Sequence, residues 1–427
     1  MQNVKGTYDY FGKEQALRKK VKDTLVTWFE RYDFDEMDST LLNEIELLAS
    51  KYAGGDEILK EMYQLTDQGQ RKLGLRYDLT IPFAKVIALN PGIDLPFRRY
   101  EIGKVFRDGP VKRGRLREFL QCDVDVVGIA GPEAEAELMQ LAADVFRTLD
   151  IAVALRWNNR RFLGEVLAAV GVPDTEMLTV MLTLDKIEKI GAEGVRAELG
   201  TKGLDPAAAA AILDLMAMER PTLEQLTEKY KLGGSPGALE AATLQRLIRD
   251  IGLEASCRFD PFLSRGLSFY TGTVYEIFDA SGTFTSSLGG GGRYDAIIGQ
   301  LVGRDDIAYP TVGLSFGMES IMAMLEGRSI ETRAAEAVVI PIGENVPEAL
   351  RAADVLRKQG IRTRTEAGRK LKKALAAASA KGTPYAILIG EEEKCNNQVR
   401  LKAMNEKSEF VLTIEEAVAY MKERRPN

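Results

Sequence analysis

The sequence predicts an α+β protein in two parts: an antiparallel sheet flanked by helices and carrying a helical insertion, then a smaller α/β domain. Three observations carry this. Strand-like segments bearing charged side chains lie on both sides of a helix-rich stretch running from about Asn158 to Leu253. That stretch contains DPAAAAAILDLMAMER, a plain helix signal. From AVVIPIG onward, strand and helix patterns alternate, the mark of an α/β unit with a largely parallel sheet.

Element by element, residues 12–31 carry Leu17, Val21, Leu25 and Phe29 at helical spacing among Lys, Glu and Arg, predicting a long amphipathic helix. GGDEI marks a turn, and KLGLRYDLTIPFAKVIAL reads as a strand running into a helix. FRRYEIGKVFRDGPVKRGRLREFLQCDVDVVG reads as two strands joined by a basic, Gly- and Pro-containing tip, hence a long hairpin. PEAEAELMQLAADVFRTL is a helix with Pro in its first turn and acids at the positive end of its dipole. After the insertion, RGLSFYTGTVYEIF, SSLGGGGRYDAIIGQL and PTVGLSFGMESIMAML bring strands back, the last feeding a helix. The pattern breaks over residues 326–336, a linker. The C-terminal part then reads strand AVVIPIG, helix VPEALRAADVLRKQG, short strand IRTRTE, basic helix GRKLKKALAAASAKG, strand YAILIG and a strand near NQVRLKAM. Its closing helix opens with a capping box, Thr413 to Glu416. The expected boundaries are residues 1–325 for the first domain, with the insertion at about 160–253, and residues 337–427 for the second.

Composition narrows the function. The 427 residues, 45% apolar and 28% charged, suffice for two or three cores. No apolar run reaches the roughly 18–20 residues that span a bilayer, and MQNVKGTYDY lacks the apolar core of a secretory signal. Three widely spaced cysteines fit a reducing compartment, the cytoplasm by default. There is no histidine, which excludes Ser-His-Asp triads, histidine-ligated zinc and histidine general bases. The net charge of −6 argues against a general nucleic-acid binder. Ten Lys/Arg against two acids between Arg351 and Lys381 nevertheless make one basic face.

Four segments place charge where the pattern predicts half-buried strands, and buried charge is costly unless it is paired or meets a ligand. LRYDLT offers Arg76, Asp78 and Thr80 at alternate positions, on one face of a strand. VFRDGPVKRGRLREFLQCDVD offers Arg107, Arg115, Arg117, Gln121, Asp123 and Asp125. RGLSFYTG offers Arg265 and Tyr270; GGGGRYD offers four glycines and then Arg293, Tyr294 and Asp295. Several arginines suit a polyphosphate, and the glycines let a ligand approach the backbone. Neither a P-loop nor a dinucleotide-binding glycine motif is present. Arg76 and Arg293 read equally well as structural ion-pair partners. Asp123 reads as structural rather than ligand-binding.

Together LRYDLT, GRLREFLQCDVD, RGLSFYTG and GGGGRYD resemble the class II aminoacyl-tRNA synthetases, and among them the histidyl-tRNA synthetases, in the wording of archaeal and eukaryotic members. The resemblance covers nearly the whole chain. It implies a core on a six-stranded antiparallel sheet, an anticodon-binding C-terminal domain, a homodimer, and attachment of histidine to tRNA(His) through an ATP-derived adenylate. Carried over, Arg107 would hold the α-phosphate and the amino-acid carboxylate. Arg115 would meet the outer phosphates of ATP, with Arg117 beside it. Asp78, Thr80 and Gln121 would hold the α-amino group. Asp125 would accept from one imidazole nitrogen, with Tyr270 and Tyr294 on the other side. Arg265 would stabilise the α-phosphate during attack. Mg²⁺ would accompany ATP, its ligands unassigned. Arg369, Lys370, Lys372 and Lys373 would face the tRNA.

The chain departs from the class pattern at Leu41, where proline is expected, at Ser320, where a phosphate-binding arginine is expected, and at Ser268 and Phe269, where Asp and Tyr are commoner. Two other readings stand beside the synthetase. One is a histidine-sensing regulatory relative, which would lack the C-terminal domain; the other is an amino acid:AMP ligase with a different acceptor.

Overall fold

The structure, a computed structural model, describes residues 1–49, 60–111, 114–265, 269–304, 309–328 and 335–424. The GGDEI turn, Gly266, Ser268 and most of the 326–336 linker lie outside these residues. The chain forms two compact units, Met1–Arg328 and Ser329–Asn427.

The first unit is built on one large sheet. Its strands are β1 (Asp35–Glu36), β5 (Phe97–Phe106), β6 (Glu118–Val127), β7 (Val153–Asn159), β8 (Cys257–Phe259), β9 (Thr273–Asp279), β10 (Gly289–Arg293) and β11 (Thr311–Gly317). The order is β1-β5-β6-β11-β10-β9-β7-β8. The six inner strands are all antiparallel to their neighbours, and the short edge strands β1 and β8 pair in parallel with β5 and β7. The expected hairpin is β5–β6, paired from Phe97↔Val127 to Phe106↔Glu118. A separate three-stranded sheet, β2 (Leu42–Glu44), β4 (Lys72–Leu75) and β3 (Gln64–Thr66), was not foreseen; its strands are too short to show a pattern.

Two helices cover one face of the large sheet. The first, Gly12–Arg31, buries Leu17, Val21, Leu25 and Phe29, the stripe read from the sequence. Phe29 packs on Tyr100 of β5 at 5.3 Å between ring centroids and on Phe316 of β11 at 5.7 Å. The second, Glu133–Thr148, sends Phe146 to the same Phe316 at 5.8 Å. Each such fully buried side chain stabilises the unit by roughly 1.5–3 kcal/mol. Phe316 faces Cys122 in register, as Leu314 faces Val124, so the even-numbered residues of β6 lie on the helix side. The odd-numbered ones, Gln121, Asp123 and Asp125, project from the opposite face.

Between Arg160 and Asp250 the described chain is helical, with no strand. Its caps are legible: Asp205 accepts from the N–H groups of Ala207 and Ala208 ahead of Pro206, and Thr222 and Gln225 form a capping box.

The second unit has five strands: β12 (Ala337–Pro341), β13 (Thr363–Thr365), β14 (Tyr385–Ile389), β15 (Val399–Ala403) and β16 (Ser408–Leu412). The order is β13-β12-β14-β15-β16, with β12, β13 and β14 parallel and the last two antiparallel. The sheet is thus more mixed than the alternation implies, because β15 and β16 form an antiparallel hairpin joined by a short turn at residues 404–407, with no helix between them. The Thr413–Glu416 capping box is present.

Candidate active site

On the sheet face away from the two covering helices lies a cavity of about 360 Å³ lined by β6, β10, β11 and the segments around them. Its floor follows from strand alternation. Gln121, Asp123 and Asp125 of β6 sit opposite Gly317, Ser315 and Gly313 of β11. A Cβ on Gly313 would lie 1.9 Å from Asp125 Oδ1, so glycine there makes room for the carboxylate. Asp125 is fixed from two sides: Tyr294 donates its hydroxyl to Oδ1, and the fully buried Arg99 reaches Oδ2 at 2.7 Å. Burial, reinforced by Asp125, holds the Tyr294 phenol well above its ordinary pKa. Its one O–H is committed to Asp125, so Tyr294, which also lines the cavity, orients the carboxylate.

Asp123 lines the cavity as well, against the structural role read for it, because β6 is regular and its pairing with β11 has no bulge. Burial pushes its carboxyl up to about 7; Arg99 pulls it down and Asp125 raises it. Asp123 Oδ1 and Gln121 Oε1 are buried acceptors without a hydrogen-bond partner, a costly arrangement unless an N–H-bearing ligand meets them.

One wall is the segment around Arg265. A Cβ on Gly290 would lie 1.8 Å from Arg265 Nη1, so the guanidinium occupies the space that glycine leaves on β10. Nη1 donates to the carbonyl of Tyr275 at 3.2 Å and approaches Glu276 at 4.0 Å. Burial works against the charge of Arg265, but Tyr270, Glu276 and Asp185 outweigh it and raise its pKa. The Tyr270 ring lies 4.4 Å from that of Phe269, and Phe269 meets Tyr294 edge-on at 6.0 Å. Gly292 is again a cradle, since a Cβ there would press on the Tyr270 ring at 3.0 Å.

The opposite wall carries Arg107, stacked between Tyr77 at 4.2 Å and Phe119 at 5.0 Å. Asp78 and Thr80 also reach the cavity, but not from a strand. β4 ends at Leu75, and Thr80 opens the helix Thr80–Leu89. Asp78 Oδ1 accepts from the N–H groups of Thr80 and Ile81, so it caps that helix. Arg76 turns the other way and is buried against Glu101 at 2.7 Å. Arg293 is structural too, bound bidentately by Glu135 at 2.7 Å.

Arg115 and Arg117 do not line the cavity. At the hairpin tip Arg115 pairs with Glu61 at 2.6 Å, and Arg117 reaches Asp108 at 3.2 Å; Gly114 beside them does line it. Ser320 lines it as well, 3.8 Å from a Cβ built on Gly114. Its neighbour Glu319 is held bidentately by Arg18 at 2.7 and 2.9 Å. Sequence reading missed Arg99, Arg18 and Glu319. A helix arginine and a strand arginine carry no local sign of the partner across the sheet.

In the second unit Arg369, Lys370, Lys372 and Lys373 are all exposed. The expected basic helix begins later than read, at Leu371, so the run surrounds a helix N-terminus and does not form a helix face. Cations at that end of a helix oppose its dipole, whereas an anion would be welcome there.

A family model for histidyl-tRNA synthetase matches residues 6–321, and one for an anticodon-binding domain matches residues 336–424. The histidine–tRNA ligase 1 of Bacillus anthracis is 46% identical over 425 residues, covering 99% of this chain and all of that protein. The histidine–tRNA ligase 2 of Shouchella clausii is 45% identical over 94% of this chain and 96% of its own length. The crystal structure of a histidyl-tRNA synthetase from Nostoc sp. PCC 7120 superposes with a TM-score of 0.83 at 25% identity, covering 99% of both chains. An unbroken match of this kind over nearly the whole chain settles the kinship: the chain belongs to the histidyl-tRNA synthetase family.

Proposed function

We infer that this chain performs its family's reaction, the ATP-dependent attachment of histidine to tRNA(His) through a histidyl-adenylate. The observation that carries the reading is the row Gln121, Asp123 and Asp125 on one strand face, opposite Arg107 and Arg265 in the same cavity. The acceptors suit an ammonium and an imidazole N–H; the guanidiniums suit a carboxylate and phosphates.

In the first step a substrate carboxylate oxygen attacks the α-phosphorus of ATP, and the bond to pyrophosphate breaks. The nucleophile is already ionised, so the enzyme needs no histidine base. Arg107, rigid between two rings, holds the carboxylate and α-phosphate in line. Arg265 stabilises the charge that builds on the α-phosphate. Arg115 and Arg117 exchange Glu61 and Asp108 for the outer phosphates. Asp78, Thr80 and Gln121 seat the α-amino group. Asp125, oriented by Tyr294 and Arg99, accepts from the imidazole, with Tyr270 on its other side. A competing apolar side chain leaves those buried partners unpaired, which gives selectivity.

Mg²⁺ binds through one or two carboxylates and substrate phosphates. Among the cavity carboxylates Asp78, Asp123 and Asp125 are placed toward histidine and Glu319 is committed to Arg18, which leaves Glu276 to hold such an ion. Such an ion would neutralise phosphate charge. In the second step a terminal ribose hydroxyl of the tRNA attacks the activated carbonyl and AMP leaves. Arg369, Lys370, Lys372 and Lys373 supply phosphate contacts from the second unit. The working form we propose is a cytoplasmic homodimer, its interface including the exposed Leu41, Leu42 and Leu65 on and beside the three-stranded sheet.

Histidine-dependent ATP–pyrophosphate exchange, followed by charging of purified tRNA(His), tests the reading. Absence of exchange would refute activation and favour a histidine sensor. Exchange without charging would favour a ligase with another acceptor.

A further inference from the structure

Arg265 owes its position to a residue of the helical insertion. Its backbone is in the left-handed region at φ 54°, a conformation uncommon for a residue with a Cβ. The group that holds it is Asp185. This residue caps the C-terminal end of the helix Met177–Leu184, and its own N–H is bound to the carbonyl of Met181 at 3.0 Å. Its Oδ1 accepts the N–H of Arg265 at 2.8 Å and that of Ser264 at 3.2 Å. The buried Ser264 hydroxyl donates to Met181 at 2.9 Å, adding a second bond between the same two segments. On the sheet side, Asn158 of β7 ties down the preceding residues through the carbonyls of Pro261 and Leu263, at 3.0 and 2.9 Å. The segment is therefore held by the sheet up to Leu263 and by the insertion at Ser264 and Arg265.

We infer that Asp185 is a positioning residue for the adenylation step: its carboxylate fixes the Arg265 backbone, so that the placement of the insertion sets where the guanidinium sits. The tolerance for error is small. The guanidinium lies over Gly290, where even a methyl group would collide, and a shift of about 1 Å in a catalytic group costs roughly a hundredfold in rate. A load on the insertion is thereby transmitted to Arg265 through two hydrogen bonds to one oxygen. Asp185 touches neither substrate nor reacting atoms, and the inference rests on the role proposed above for Arg265.

The test uses the full chain and four variants: Asp185→Ala, Asp185→Asn, Arg265→Ala, and the double Asp185→Ala/Arg265→Ala. The readouts are kcat and KM for histidine in ATP–pyrophosphate exchange, per folded protein as measured by circular dichroism. Loss of a charge-assisted anchor predicts that Asp185→Ala lowers kcat about tenfold. KM for histidine should stay within about twofold, because the histidine contacts are untouched. Asn keeps the Oδ1 acceptor and recovers most of the loss. In the Arg265→Ala background, Asp185→Ala has no further effect, since nothing remains to be positioned. Additive losses in the double variant, or a kcat unchanged in Asp185→Ala while Arg265→Ala is impaired, would overturn the coupling alone. A wild-type kcat in Arg265→Ala would instead overturn the role of Arg265.

Discussion

Replacing Asp123 with Asn is expected to make the protein more stable and less able to bind histidine. Asp123 is 4% exposed, and its carboxyl is raised from an ordinary 3.8 to about 7 by burial, with Asp125 adding to the effect and Arg99 opposing it. A raised folded-state value means that the folded form holds its proton after the unfolded form has lost it. The contribution to stability is present in full below pH 3.8 and is lost as the pH rises to about 7. Each unit of difference corresponds to about 1.4 kcal/mol, so three units imply a penalty of about 4 kcal/mol above neutrality, an upper bound for a group facing Arg99. Asn removes the ionisation and keeps an oxygen acceptor. Arg99 retains Asp125 at 2.7 Å and Glu101 at 3.7 Å, so no buried cation is stranded.

The assay is thermal and urea unfolding of the ligand-free wild type and Asp123→Asn between pH 5 and 8. The variant should gain about 2–4 kcal/mol at pH 8, and the gain should shrink steadily toward pH 5. Histidine should bind at least tenfold more weakly, a carboxylate having been withdrawn from the ammonium end. A pH-independent stability difference, or a variant less stable than wild type at pH 8, would refute the reasoning. It would show that Asp123 is ionised without penalty in the empty cavity.

Arg265→Ala should lower kcat of pyrophosphate exchange by about 10²–10³ with little change in histidine KM, as steady-state kinetics would show. Gly290→Ala should impair exchange similarly and also lower stability, because the added Cβ lies 1.8 Å from Arg265 Nη1 and 2.7 Å from the backbone carbonyl of Tyr275; exchange kinetics per folded protein, alongside urea unfolding, would check this. Glu101→Ala should destabilise the first unit by about 3–5 kcal/mol in urea unfolding, since Arg76 is left buried without its 2.7 Å partner. Lys372→Glu/Lys373→Glu should raise KM for tRNA and make it less dependent on added salt in charging assays, fewer phosphates being neutralised, while pyrophosphate exchange, which needs no tRNA, stays at the wild-type rate.

How far the site was legible depended on whether its geometry was local in the chain. The β6 row was readable because a strand alternates: Gln121 and Asp125 were recognised together, and Asp123, read as structural, lies between them on the same regular strand face. The hairpin, the first helix and the Thr413–Glu416 cap were legible for the same reason, each being a pattern over a few consecutive residues. LRYDLT misled because alternation was assumed beyond the end of β4. There Asp78 is a helix cap, and an Asp two residues before a helix start carries that signal as plainly as a strand pattern does.

What stayed hidden were relations across the fold. The glycines of GGGGRYD suggested room for a ligand. The room at Gly290 and Gly292 is instead filled by Arg265 and Tyr270, and that at Gly313 by Asp125. Glycine here makes room for other side chains of the cavity, the ones proposed above to meet the substrate. The same holds for Arg99 and Asp185, each of which orders a residue that the motifs had already named. Sequence motifs expose residues that must have one chemical identity to touch a ligand. Their supports can be any donor or acceptor that the fold delivers to the right atom, so they leave no fixed word in the chain. For this family member the consequence is specific: Ser320 stands where a phosphate-binding arginine is expected, yet Arg107 and Arg265 remain buttressed by Tyr77, Phe119, Gly290 and Asp185. On the roles proposed above, the α-phosphate keeps both of its arginines, and compensation for Ser320 would fall to Arg115 and Arg117 at the hairpin tip.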